Sequence, residues 1–321
     1  MLVFSSIVLN LWGTPEASAL QPFRIGTGGR TGVYYPIGKI IATSLTLAAN
    51  ENGSALNGFI GVAQNAAGSI QNIHGVVNGE LETGLVQADI AAYAYKGERD
   101  FASVPNSANV RAIASLYSEK FQLVVRKDAG ISTISELKGK RISVDEIGSG
   151  TKTIMDIVLK AYGLTEKDLL PLYLKPAFTE GKIRNGQLQG FALMAGVPNV
   201  AVSKLSDTGV TLLPIAPEII ANICLQYQHL KPGEIAKGIY PGIPETPTIE
   251  VYALLVVNKS MSNEVAYALT EALFSNETNK LLKDGHPLGK AIGLNSALNG
   301  VSIPLHPGAM QYYSDHKVTT K

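Results

Sequence analysis

The segment Ile25 to Pro36 reads IGTGGRTGVYYP, with glycines at 26, 28, 29 and 32 between an apolar run and a helical pattern. Glycine permits positive φ and brings backbone N–H groups close to a ligand. The helix that follows offers unpaired amides and positive potential, both suited to a carboxylate or phosphate. Thr27, Gly28, Gly29, Thr31 and Tyr34 are the candidate contacts of this loop. Arg30 adds a guanidinium able to grip a carboxylate through two hydrogen bonds, or else it faces solvent. Two nucleotide signatures fail. The dinucleotide fingerprint needs glycine where Thr31 stands, and a P-loop is excluded because five residues separate Gly32 from Gly38 and Ile40 occupies the Ser/Thr position. The plainer reading is a tight strand-to-helix turn without a ligand.

A second turn of the same kind, Gly148-Ser149-Gly150-Thr151, precedes another helical pattern. Ser149 or Thr151 there caps the helix, contacts a ligand, or does both. Gln87 and Asp89 directly follow the strand pattern Gly84 to Val86, and Ala195-Gly196-Val197-Pro198 follows Phe191 to Met194. All four loops leave the C-terminal ends of strands, where open α/β sheets bind ligands. Asp89 has a bland role as well, as a helix cap.

A catalytic constellation is hard to assemble. Histidines 74, 229, 286, 306 and 316 are scattered without metal-ligand spacing and read as surface or packing residues. Ser149 lies in G-S-G, not in the G-x-S-x-G elbow. Asp145 and Glu146 read as neighbours on an extended segment, hence on opposite faces and unsuited to acid/base work together. The single cysteine, Cys224, sits in the apolar stretch IIANICLQY and reads as a core filler. No enzyme activity, metal or cofactor is expected.

The elements that must hold these loops follow from composition and period. A chain of 321 residues exceeds what one core usually reaches, and 45% hydrophobic against 17% charged residues is a globular balance. The net charge of +1, with no basic stripe, argues against nucleic acid as a partner. Short apolar strands alternate with helical patterns, the signature of α/β architecture with parallel sheets. Strands are expected at Phe23–Gly26, Thr83–Val86, Arg141–Val144, Phe191–Met194 and Thr211–Leu213. Helices are expected from Tyr34 (Ile37, Ile40, Ile41, Leu45 on one stripe), near Ala67–Val77, and over Ile90–Lys96, Thr151–Tyr162 and Asn199–Leu205. The extended stretches Arg111–Lys127 and Val251–Asn258 read as two crossings between lobes, and the remainder of the chain as helices that pack back on the first lobe. The division expected is therefore 22–125 plus 250–321 for the first lobe, with 126–249 inserted as the second. Met1 to Gly13 is largely apolar and Ala17-Ser18-Ala19 has the small-x-small form of a signal-peptidase site, which predicts export to the periplasm with cleavage near Ala19.

The segments IGTGGRTGVYYPIGKIIA, ETGLVQAD, RAIASLYSE, LKGKRISV followed by GSGT, AGVPN, LLPI, IYPG with TPTIEV, and IPLHPGAMQYY occur in this order through the chain. Together they resemble the TAXI-type solute receptors of TRAP transporters. The resemblance implies a type II periplasmic-binding-protein fold, two α/β lobes with a ligand cleft between them, and a small carboxylate or amino-acid solute, glutamate-like among others. It also implies TRAP transporter membrane subunits as partners. Carried over motif by motif, it places Thr27, Gly28, Gly29, Thr31, Tyr34, Gln87, Tyr117, Ser149, Gly150, Thr151 and Gly196 at the cleft. Arg30 departs from the small residue frequent there, and Asn185 and Gln189 stand where acidic residues are frequent. Glutamate is for that reason not assumed.

Overall fold

A computed structural model describes residues 19–318. The leader expected over Met1 to Ala19 lies outside these residues except for its last position.

The first strand, β1 (Gln21–Gly26), buries Phe23 and Ile25 and runs into α1 (Tyr34–Ala49), whose Ile37, Ile41 and Leu45 form the apolar stripe that its spacing requires. Next come β2 (Phe59–Gln64), α2 (Ser69–Val77), β3 (Thr83–Gln87) and α3 (Ala88–Lys96). The long β4 (Val110–Arg126) leads to β5 (Arg141–Ser143), α4 (Gly150–Ala161), β6 (Leu170–Leu172), α5 (Glu180–Arg184), β7 (Gly190–Ala195) and α6 (Val200–Ser203). The chain continues through β8 (Val210–Leu212), α7 (Pro217–Gln226), β9 (Lys231–Ile235) and β10 (Thr246–Asn258), and closes with α8 (Asn263–Phe274), α9 (Asn276–Gly285) and α10 (Pro307–Asp315).

The strands follow the order β2-β1-β3-β10-β4-β7-β5-β6, with β8 also on β4 and β9 on β10. Strands within each half run parallel, β1 with β2 and β3, and β5 with β6 and β7. The two long strands are antiparallel to their neighbours, which the parallel-sheet expectation did not include. Their partners change along their length. β4 pairs with β10 up to Lys120 and with β7 from Lys120 onward, while β10 pairs with β9 up to Glu250 and with β3 from Ala253. Lys120 and Glu250 are joined by an ion pair of 2.6 Å at this crossover. Both halves therefore hang on one antiparallel pair of strands, which is a two-lobed α/β architecture.

The packing repeats that division. Phe23, Ile37, Leu45, Leu255 and Tyr312 belong to one apolar cluster on the first half, and Ile183, Phe191, Leu205 and Tyr240 to another on the second. A third cluster is continuous beneath both, from Ile73, Val86 and Ile90 to Ile142, Ile154 and Val158. β4 serves both sides of the second half by alternation, with Phe121, Leu123 and Val125 in the shared cluster and Val124 in the other.

Five elements escape the sequence pattern: β2, β6, α5, α7 and β9. β2 has no buried side chain, and its Gly61 is required by packing, since a Cβ there would lie 2.7 Å from Ala42 Cα. β9, KPGEI, contains both Pro and Gly and owes its extended form to pairing with β10. α7 starts on Pro217 and carries Cys224, which is partly buried against the shared core.

Candidate functional site

The C-terminal ends of β1, β3, β5 and β7 converge on a cavity of about 80 Å³ between the halves. On this measure a water needs roughly 10–15 Å³, so the space suits a solute of several non-hydrogen atoms. Its walls include Gly28, Gly29, Thr31 and Tyr34 from the first loop and Ser149, Gly150 and Thr151 from the second, together with Gln87. The first turns of α1 and α4, whose leading amides lack intrahelical partners, thus face one space.

Local chemistry positions each wall. Ser149 caps α4, its Oγ accepting from Lys152 N at 3.2 Å, and Thr151 Oγ1 accepts from Met194 N at 3.0 Å, tying the helix to β7. Cavity-lining residues therefore also cap or brace the helix. In the first half, Asn72 Nδ2 donates to Thr27 O and Leu85 O, each at 2.8 Å, fixing the ends of β1 and β3 side by side. None of Gly26, Gly28, Gly29 and Gly32 has the positive φ expected of them. Gly26 is instead a close-packing position, because a Cβ would stand 2.6 Å from Asn72 Oδ1. Gly28 and Gly29 leave open surface, their would-be Cβ atoms meeting no atom closer than 3.5 Å.

Four expected positions do not line the cavity: Thr27, Arg30, Tyr117 and Gly196. Thr27 is fully buried and its hydroxyl donates to Gln64 O at 2.6 Å, so it braces β1 against β2. Arg30 is exposed to solvent. Tyr117 lies in the first-half core, its ring 3.4 Å from where a Gly196 Cβ would be, and its hydroxyl has no hydrogen-bond partner. Gly196 is required by this packing, since a side chain there would also collide with Leu288.

The lining also holds residues not assigned to the site from sequence, chiefly Ser69, Glu119, Asp145, Lys175 and Asn199. Asp145 is not extended. Its φ is 69°, and the carboxyl is buried with Oδ1 accepting from Glu146 N at 2.8 Å. Glu146 points elsewhere, pairing with Lys175 Nζ at 3.2 Å, and the same ammonium donates to Asn65 Oδ1 at 3.4 Å across the mouth of the cleft. Glu119 stands on β4 one residue before the crossover, 2% exposed. Tyr34 Oη donates to its Oε2 at 3.0 Å and approaches Ser69 Oγ at 3.5 Å.

These acids are in an apolar setting. Burial pushes Glu119 up to about 8, against the opposing hydrogen bond from Tyr34 and with a further rise from Asp89. Burial likewise raises Asp145 to about 6, offset by hydrogen bonds from Glu146 N and from Thr151 and Ser149. Asp89, behind Gln87, accepts from Gln87 Nε2 at 3.2 Å, is raised to about 6 chiefly by burial, and leaves Oδ2 unpartnered. His and Cys are absent from the lining, and its one lysine is held by Glu146.

The halves touch across the cavity. Gln71 N donates to Gly148 O at 3.3 Å, and a Cβ on Gly150 would press into the Gln87 side chain. The structure is a closed arrangement of the cleft.

Solved structures share this architecture at low sequence identity. The alkanesulfonate-binding protein SsuA from Xanthomonas axonopodis pv. citri, bound to MOPS, superposes with a TM-score of 0.51 at 15% identity, over 93% of this chain and 85% of that one. A protein of Bordetella bronchiseptica RB50 gives 0.54 at 18% identity over 91% and 88% of the two chains. The periplasmic binding protein BugD gives 0.54 at 14% identity over 92% and 94%. The likeness establishes the two-lobed α/β fold of periplasmic binding proteins. At the level of sequence, the profile of the NMT1-like family matches residues 25–316, nearly the whole described chain, and the protein belongs to the NMT1-like family.

Proposed function

We propose that this protein is an extracytoplasmic solute-binding receptor, of the TAXI type, that captures a small carboxylate or amino acid and delivers it to the membrane subunits of a TRAP transporter. The observation that carries the reading is a cavity at the strand ends, walled by residues of both halves and flanked by two helix N-termini. Proteins with this fold include SsuA and BugD, named respectively for alkanesulfonate binding and as a periplasmic binding protein. TRAP delivery and the carboxylate class rest on the motif resemblance between Ile25 and the closing IPLHPGAMQYY segment. Export to the periplasm, with cleavage near Ala19, rests on the leader pattern. We assign 22–125 plus 250–321 to one lobe and 126–249 to the other, with Gly28, Gly29, Thr31, Tyr34, Gln87, Ser149, Gly150 and Thr151 as solute contacts. The change of strand partners at Lys120 and Glu250 supports that division.

The test is thermal denaturation of the chain from Leu20 onward, after unfolding and refolding to strip carried-over solute, against amino acids, dicarboxylates, keto acids and sugars. A ligand of the folded state raises stability by RT ln(1 + [L]/Kd), about 2.7 kcal/mol at a hundredfold excess over Kd. A rise with one chemical class supports the receptor reading, and no rise with any class rejects it.

A further inference from the structure

The carboxyl of Glu119 is the least matched group in the cleft. It is 2% exposed, it lines the cavity, and a phenol, that of Tyr34, is its one hydrogen-bond donor. Oε1 receives no hydrogen bond from the chain. Among the described residues no cation pairs with it: Lys175 is taken by Glu146 and Asn65, and Arg30 is out in solvent. Apart from Lys175, the other ionisable residue on the wall is Asp145, a second acid. Two buried carboxyls on one small cavity make a poor receptacle for a dicarboxylate: where they are ionised an added negative charge meets like charge in a medium of low dielectric, and where burial keeps Glu119 protonated it supplies no positive charge. The opposite holds for an ammonium group, which would supply the donors and the charge that a buried carboxylate requires. The amides opening α1 and α4 face the same space and suit a carboxylate. The two features fit the two ends of a zwitterion.

Resting on the receptor reading above, we propose that the solute carries a protonated amine bound at Glu119, with its carboxylate at the helix N-termini, and that Glu119 is the residue that selects amino acids over the corresponding amine-free acids. Glu119 also sits beside the crossover of β4, so the ammonium is held where the two halves meet.

The inference is tested by titration calorimetry with pairs that share a skeleton and differ at the amine: glycine and glycolate, L-alanine and L-lactate, L-glutamate and glutarate. In the unaltered protein the amine member of a bound pair should bind at least about tenfold more tightly, the scale of one charge-assisted hydrogen bond. Glu119→Gln, with its fold checked by circular dichroism, should bring the two members within about threefold of each other. Equal or tighter binding of the amine-free members by the unaltered protein overturns the inference while leaving the receptor reading intact, and needs no variant. An unchanged amine preference in Glu119→Gln overturns the role of Glu119. If no member of any pair binds, this inference falls, and the broader thermal panel decides the receptor reading separately.

Discussion

Gly150 is where closure of the cleft can be tested by one methyl group. A Cβ on this residue would stand 2.9 Å from Gln87 Nε2 and nearer still to Cδ and Oε1, whereas ordinary carbon contacts lie at about 3.5–4 Å. Gln87 is 3% exposed and its amide is engaged with Asp89, so it cannot turn aside without losing a buried hydrogen bond. Gly150 and Gln87 come from opposite halves, so the collision exists only when the halves are together. Separated, the same alanine is harmless, because Gly150 opens α4 without positive φ and alanine favours helix by about 1 kcal/mol. Overpacking of this kind costs about 1–3 kcal/mol. That cost falls on the closed state alone, which corresponds to a loss of about 5- to 150-fold in solute affinity. Gly150→Ala is therefore expected to keep or slightly raise the unfolding midpoint of the solute-free protein while weakening solute binding by that factor. Calorimetry with whichever solute stabilises the unaltered protein measures the affinity, and small-angle scattering measures the compaction on adding it. Wild-type affinity and compaction in a normally folded Gly150→Ala protein would refute the view that closure brings these two residues together.

Stability should depend on pH in the direction opposite to that given by salt-bridged acids. Glu119 at about 8, and Asp89 and Asp145 at about 6, all hold protons that the unfolded chain has released, so unfolding liberates protons and stability falls as pH rises from about 4.5 to 8. Above about pH 7 only Glu119 still contributes. Denaturant midpoints across this range should lose that upper part of the slope in Glu119→Gln, and a profile that rises toward pH 8 would contradict the burial argument. Arg30→Ala should change solute affinity by no more than about twofold, as expected of an exposed side chain; a tenfold loss in calorimetry would return Arg30 to the site.

Much of the site was legible in sequence because it is made by local backbone chemistry. A glycine-rich turn between strand and helix places amides at a strand end wherever it occurs, and both such turns reached the cavity, as did Gln87 at the end of β3. Side chains that depend on what lies across the sheet were less readable. Tyr117 and Glu119 both lie on β4, two apart and so formally on one face, yet the former is committed to the core and the latter to the cavity wall. Pairing of β4 with β10 is regular from Tyr117 to Lys120, so the difference lies in what covers each side chain, the first-half core over Tyr117 and the cavity beside Glu119. Asp145 was misread because one left-handed residue after β5 turned it into the cavity while Glu146 went out to Lys175.

The sequence by itself determined the α/β class, the helices whose apolar stripes recur at 3.6 residues, and the strand ends at which a ligand would be met, since all of these are short-range consequences of period and turn chemistry. Only the tertiary structure decided the sign of the cleft. Glu119, Asp145 and Lys175 lie far apart in the chain, and their charges become a property of one place when β4, the loop after β5 and the loop after β6 are brought to a common cavity. Burial then governs them: an acid that would be an ordinary solvated charge on an isolated strand becomes, beneath two closed halves, a group in need of a proton or a cation.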